Sequence, residues 1–144
     1  MADFEITGLD ELIKAVGGIG NIPTGVKTKT LEAMAKKAAE KIKSEGEAMR
    51  VYDMESSEHI LDKITTAKPK LFEDGGRQDV TFKGSRTRGK SKTRNAAIAY
   101  INEFGKSSQP ARPFIGTAML KNADEITATG ADILGDWIET EYKK

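Results

Sequence analysis

Gln78-Asp79-Val80-Thr81-Phe82-Lys83 decides the fold class. Gln78, Val80 and Phe82 alternate with Asp79, Thr81 and Lys83, the period-two pattern of a half-buried strand. On both sides the apolar residues instead recur at helical spacing, so the chain reads as α+β. Just upstream, Thr65 to Phe72 is expected to pair with this strand. Glu73-Asp74-Gly75-Gly76 between them is a strong turn signal. Pro69 has no backbone donor and confines that first strand to an edge.

Further upstream, helical periods prevail. Leu9, Leu12, Ile13 and Val16 form one apolar face, entered through Thr7 and Asp10 as an approximate capping box. Gly17-Gly18 ends that helix, and Ile19 to Thr24 is a linker. A long helix is expected from about Val26 to Arg50. Leu31, Met34, Ala35, Ala38, Ile42 and Met49 track one stripe, and lysines and glutamates fill the other face. Its small residues (Ala33, Ala35, Ala38, Ala39) permit close approach of another element. A polar turn, Asp53 to Ser57, leads to a short helix holding Ile60, Leu61 and Ile64, with Ser56 or Ser57 as its N-cap.

Downstream, Gly84 to Asn95 is polar and basic with no apolar residue, so it contributes nothing to a core. It is expected as a flexible basic loop or hairpin tip. Ala96 to Phe104 is strand or helix by pattern, Gly105 to Pro113 is a loop, and a last helix runs from about Pro113 to Tyr142. Phe114, Ile115, Ala118, Met119, Ile126, Ile133, Leu134, Trp137, Ile138 and Tyr142 supply its apolar face, and Gly130 is a site for a kink or a split. The expectation is a single domain, residues 1–144. A small antiparallel sheet of three or four strands packs against a long N-terminal-half helix and a long C-terminal helix.

Composition narrows the function. The 144 residues are 31% charged and 38% hydrophobic, with 23 bases, 22 acids, one histidine and no cysteine. Mean hydropathy is −0.50. Without cysteine there is no disulfide, thiolate zinc site or cysteine nucleophile. His59, the sole histidine, excludes His–His metal sites and reads as a helix residue, not a base. Asp53, Glu55 and Glu58 lack the glycine and closing glutamate of a calcium loop. Gly17-Gly18-Ile19-Gly20 lacks the Gly-Lys-Ser/Thr of a phosphate loop. No apolar run approaches the ~18 residues of a membrane span, and the acidic start lacks a signal-peptide core. The expectation is a non-enzymatic protein without cofactor, metal or membrane contact.

The net charge of +1 hides a segregation. Lys83, Arg86, Arg88, Lys90, Lys92 and Arg94 lie in one acid-free stretch. Removing those six from 23 bases leaves 17 against 22 acids, a balance of −5. Asn122 to Tyr142 holds Asp124, Glu125, Asp132, Asp136, Glu139 and Glu141 and no base. Three readings of the basic segment stand side by side: a solvated loop, a surface for a neighbour's acidic helix, or the lining of a DNA channel. Six cations on phosphates would make binding steeply salt-dependent, but no aromatic is interleaved to stack on bases.

The most specific constellation is Tyr100-Ile101-Asn102-Glu103-Phe104-Gly105, then Gln109-Pro110-Ala111-Arg112-Pro113-Phe114-Ile115, then Ala118. Pro113 suits a first helical position, and Phe114 can anchor the helix on the core. Arg112 sits beside a rigid turn with five donors. Its candidate partners are Glu103, an acid on a neighbouring subunit, or a loop of its own subunit. Trp137 and Tyr142 read as core or as interface anchors.

This constellation is similar to that of the tail-completion, or head–tail joining, proteins of siphophages and prophages. The likeness extends in layout over most of the chain and is motif-specific from Tyr100 to Ala118. The family's Asp-Thr-Gly-x-Leu segment is replaced here by Ser56-Ser57-Glu58-His59-Ile60-Leu61, which keeps only the leucine. The resemblance implies a structural protein of the virion neck, made in the host cytoplasm. It implies a ring, expected as a hexamer, that is monomeric when free. Its partners would be the head connector or adaptor and the tail terminator or tail-tube protein, with passing contact to phage DNA. The interface candidates are Glu103, Phe104, Arg112, Phe114, Trp137 and Tyr142. The alternatives are the adjacent tail-terminator role, or a nucleic-acid-binding accessory protein using residues 83–94.

Overall fold

Two long helices run antiparallel and carry the rest of the molecule. The computed structural model describes residues 4–5, 22–51, 59–73 and 75–142, without the side chains of residues 4 and 5, Arg88 and Tyr142. The expected helix from Thr7 to Val16 and the polar turn Asp53–Ser57 lie outside the described residues. Helix α1 spans Thr24–Ala48 and helix α3 spans Phe114–Tyr142. Met34 meets Gly130, Lys41 meets Glu125 and Glu45 meets Lys121, so numbers rise on one helix as they fall on the other. The stripe expected from the sequence is the buried one: Leu31, Met34, Ala35, Ala38 and Ile42. Helix α3 is continuous through Gly130. A Cβ there would lie 2.5 Å from the Met34 sulfur, so this glycine permits close helix contact and does not break the helix.

Helix α1 stops two residues earlier than its hydrophobic pattern suggests. The Val51 N–H donates to the Gly46 carbonyl at 2.8 Å and the Arg50 N–H to that of Glu47 at 3.1 Å. These are the paired bonds of a helix stop built on a left-handed residue. Arg50 supplies that residue at φ 57°. Val51, 1% exposed, follows into the core.

The sheet stands on this helical pair. Strands β1 (Phe4–Glu5), β2 (Ile64–Thr66) and β5 (Asp79–Phe82) form an antiparallel sheet in the order β1-β5-β2. Val80 pairs with Phe4 and Thr66, and Phe82 with Ile64. Val80 and Phe82 point inward as the alternation requires. Phe82 meets Phe114 edge-to-face with ring centroids 6.1 Å apart. Met34, Ile42, Ile60, Leu61, Ala99 and Ile115 complete the main core.

The expected pairing of Thr65–Phe72 with the central strand is half right. Only β2 pairs with β5. The chain bends at Ala67-Lys68-Pro69, and β3 (Lys70–Phe72) pairs instead with β4 (Gly75–Arg77). Phe72 pairs with Gly75, so both glycines lie in a strand and not in the turn. Gln78, 3% exposed, holds the bend by donating to the Ala67 carbonyl at 2.9 Å. The short helix is a 3-10 turn, Ile60–Lys63, and Ile64 belongs to β2. His59 precedes it in extended conformation, so it is not a helix residue and stands where a serine cap was expected.

The basic segment is a regular hairpin, β6 (Ser85–Arg88) and β7 (Ser91–Arg94), the second of its two expected forms. Ala96 to Phe104 resolves as helix: α2 spans Asn95–Phe104.

Candidate functional site

The Glu103–Ile115 region is a junction between α2 and α3. Pro113, immediately before α3, has no side-chain oxygen with which to cap it. Glu103 supplies one from α2. Its carboxylate accepts the Ile115 N–H at 2.8 Å and the Gly116 N–H at 2.9 Å. Those donors belong to the first turn, where helix N–H groups lack internal partners and the helix end is positive. A Cβ on Gly116 would lie 2.9 Å from a Glu103 oxygen, so a larger residue would obstruct the carboxylate. Glu103 is 6% exposed, and Phe114 is fully buried.

The loop between the helices is fixed from within. Gly105 sits at φ 76°, and a Cβ there would lie 2.8 Å from the Ala111 nitrogen. Lys106 and Gln109 exchange backbone bonds of 2.9 and 3.0 Å. Gln109 donates its side-chain amide to Asn102 at 3.1 Å, and the Arg112 N–H donates to the Asn102 carbonyl. The Arg112 guanidinium donates to the Arg50 carbonyl at 2.9 Å, linking this loop to the end of α1. Of the three candidate partners for Arg112, the loop of its own subunit is the one bonded, and Glu103 is not. Glu103 spends its carboxylate on α3, and Arg112 serves a loop of its own subunit. Phe114 is likewise a core residue and offers no interface.

The hairpin has a different character. Its root is held by Asn95, 2% exposed, whose side-chain amide donates to the Lys83 carbonyl at 2.9 Å. Beyond that root, Lys83, Lys90, Lys92 and Arg94 are exposed and Arg86 is half-buried. Ser85 pairs with Arg94 and Thr87 with Lys92, so these four share one face of the ribbon; Arg86 and Thr93 share the other. On the Arg86 side lies a cleft of about 920 Å³. Arg86, Lys106 and Arg112 line it with Thr93, Asn102 and Gln109, over a floor that includes Ile98 and Ile101.

Beside the other face, α2 turns Ala97, Tyr100 and Phe104 outward. Tyr100 is 49% and Phe104 63% exposed, with ring centroids 4.7 Å apart. Arg94, Ala97, Tyr100 and Ile101 border a shallow apolar groove of about 320 Å³.

The acidic block splits in two. Glu125 pairs with Lys41 at 2.9 Å and Lys37 at 3.6 Å, both on α1. The Lys41 hydrogen bond, with the charge of Lys37, holds the Glu125 carboxyl below its usual pKa. Further along, Asp132, Asp136 and Glu139 are exposed and make no ion pair among the described residues. Their spacing of four and three residues sets them in one row along α3. Trp137 packs partly buried against Leu31 and Leu134 in a second small core. The side chain of Tyr142 lies outside the described residues.

Sequence reasoning gave Asn95 and Tyr100 no role of their own, while the strand alternation set Gln78 on the face of Val80 and Phe82 without its bond to Ala67. A lone buried amide leaves no periodic trace. For Tyr100 the signal was its place four residues before Phe104, which puts both rings on one helix face. Among the described residues no three acidic or histidine side chains are grouped to hold a metal ion, and no helix is long and apolar enough to cross a membrane. Comparison with known proteins finds no matching family, no matching curated protein and no matching solved structure.

Proposed function

We propose that the protein is a structural component of a tailed-phage or prophage neck, a tail-completion protein that assembles as a ring between head and tail. One observation carries this reading. Lys83, Lys90, Lys92 and Arg94 at the hairpin, and Asp132, Asp136 and Glu139 far along α3, remain exposed after folding and sit on separate elements. A subunit with different, complementary surfaces associates head to tail, and head-to-tail contacts close into rings when the rotation allows. The family resemblance supplies the setting: partners at the head connector and the tail tube, assembly in the host cytoplasm, residence in the virion. A hexamer is the expected order, and the contacts add no chemical step.

Negative-stain microscopy with mass measurement, alone and with a tail-tube protein, tests it. Rings under either condition support the reading. A chain that stays monomeric under both defeats it.

A nucleic-acid-binding role is the second reading, favoured by the cleft on which Arg86, Lys106 and Arg112 converge. It requires monomer affinity for duplex DNA that falls steeply with salt. The ring reading requires little such affinity.

A further inference from the structure

The outward face of α2 and the adjoining face of the hairpin form one surface of mixed character. Tyr100, Phe104 and Ala97 supply an exposed apolar ridge, Arg94 borders it, and Lys92 lies on the same face of the ribbon as Arg94. Two contacting, mutually tilted aromatic rings, 49% and 63% exposed and bordered by a cation, have the composition of an interface core with a charged rim. Among the described residues the internal roles of α2 fall to its other side chains. The neighbouring Glu103 caps α3, and Ala96 and Ala99 face the core, which leaves both rings outside the subunit's own packing.

The row Asp132, Asp136 and Glu139 is the complementary feature. It spans two turns, roughly 10 Å of axis at 1.5 Å per residue. A chain cannot lay its own row on its own α2 face. Phe104 adjoins Glu103, which holds the first turn of α3, whereas the row begins roughly 27 Å further along that helix. The two surfaces belong to opposite ends of one subunit and can meet only between copies.

We propose that Tyr100, Phe104, Lys92 and Arg94 form the docking surface for the Asp132–Asp136–Glu139 row of a second copy of this chain. The proposal rests on the ring reading above and names its contact. Lys92 and Arg94 meet the carboxylates, the Tyr100 hydroxyl donates to one of them, and the ring faces pack against the neighbour's helix.

A charge exchange tests it. Lys92→Glu with Arg94→Glu, and separately Asp132→Lys with Asp136→Lys, should each weaken self-association at least about 100-fold, since like charges juxtaposed at an interface cost several kcal/mol. A chain carrying all four substitutions should recover to within about tenfold of the wild type, because the charges are exchanged, not lost. Tyr100→Ala should weaken association without altering the far-ultraviolet circular dichroism of the monomer. Mass photometry at low and at 0.5 M salt reads each outcome. Assemblies that ignore both reversals, or a four-fold variant no better than the worse pair, overturn the assignment while leaving the ring intact. A closed dimer that obeys the charge exchange keeps the surface and overturns the ring. A wild-type chain that stays monomeric at every concentration and salt, both alone and with a tail-tube protein, overturns both. Loss of duplex-DNA binding by Lys92→Glu/Arg94→Glu, with association unchanged, assigns the surface to nucleic acid and overturns the proposal.

Discussion

The helix junction and the basic hairpin occupy neighbouring stretches of chain and are built on opposite terms. Between Glu103 and Gly116, Glu103, Gly105, Gln109, Arg112 and Phe114 serve the fold itself, as a cap, a left-handed turn, loop and α1 ties and a core anchor. From Lys83 to Arg94 the hairpin is attached through Asn95 and contributes no side chain to the core. Helix α2 carries both characters on its two faces, with Glu103 buried and Phe104 beside it 63% exposed. Internal contacts account for the junction's composition. They leave the exposed rings and cations unexplained, and on those residues the proposed partner surface rests.

The largest effect should follow from emptying the junction's anchor. Phe114→Ala removes a fully buried ring and should destabilise the fold by about 3–5 kcal/mol in urea titration. Glu103→Ala orphans two helix N–H groups and should cost about 2–3 kcal/mol by the same measurement. If Glu103→Ala proved as harmless as a surface change, the contrast between the regions would collapse. Gly105→Ala sets a Cβ against the Ala111 nitrogen at positive φ and should lower stability by about 1–3 kcal/mol. Lys92→Glu with Arg94→Glu should stay within about 0.5 kcal/mol of the wild type, so that any loss of association in this variant is not a loss of folding.

The smallest expected effect is a pH dependence. Glu125 has its carboxyl pKa lowered in the fold, so its pairing stabilises above the ordinary glutamate pKa of about 4.3. That contribution fades as pH falls from there through the folded value. Comparing the acid limb of thermal stability for Glu125→Gln and wild type should show a slightly flatter limb in the variant, more so at low salt.

Much of the fold was legible because hydrophobic period is a local signal. The α1 stripe from Leu31 to Ile42 and the Val80–Phe82 alternation were readable from spacing alone. The hairpin strands were not, because Ser85–Arg88 and Ser91–Arg94 bury no alternating apolar face. The Phe72–Gly75 pairing was missed because the two glycines read as turn residues and not as strand. For Arg112 charge sign left a carboxylate and a loop of its own subunit equally open, and geometry presented the carbonyl of Arg50.

The residue string alone dictates the helical and strand periods, the exclusion of thiol chemistry and the two blocks of opposite charge. These follow from residue type and near-neighbour spacing, which folding does not change. Long-range placement assigns the remainder. Glu103 reaches a helix twelve residues away, Arg112 reaches the end of α1, and Tyr100 with Phe104 is left facing solvent. Such pairings depend on where the packed helices bring distant backbone groups together, and no local spacing encodes that.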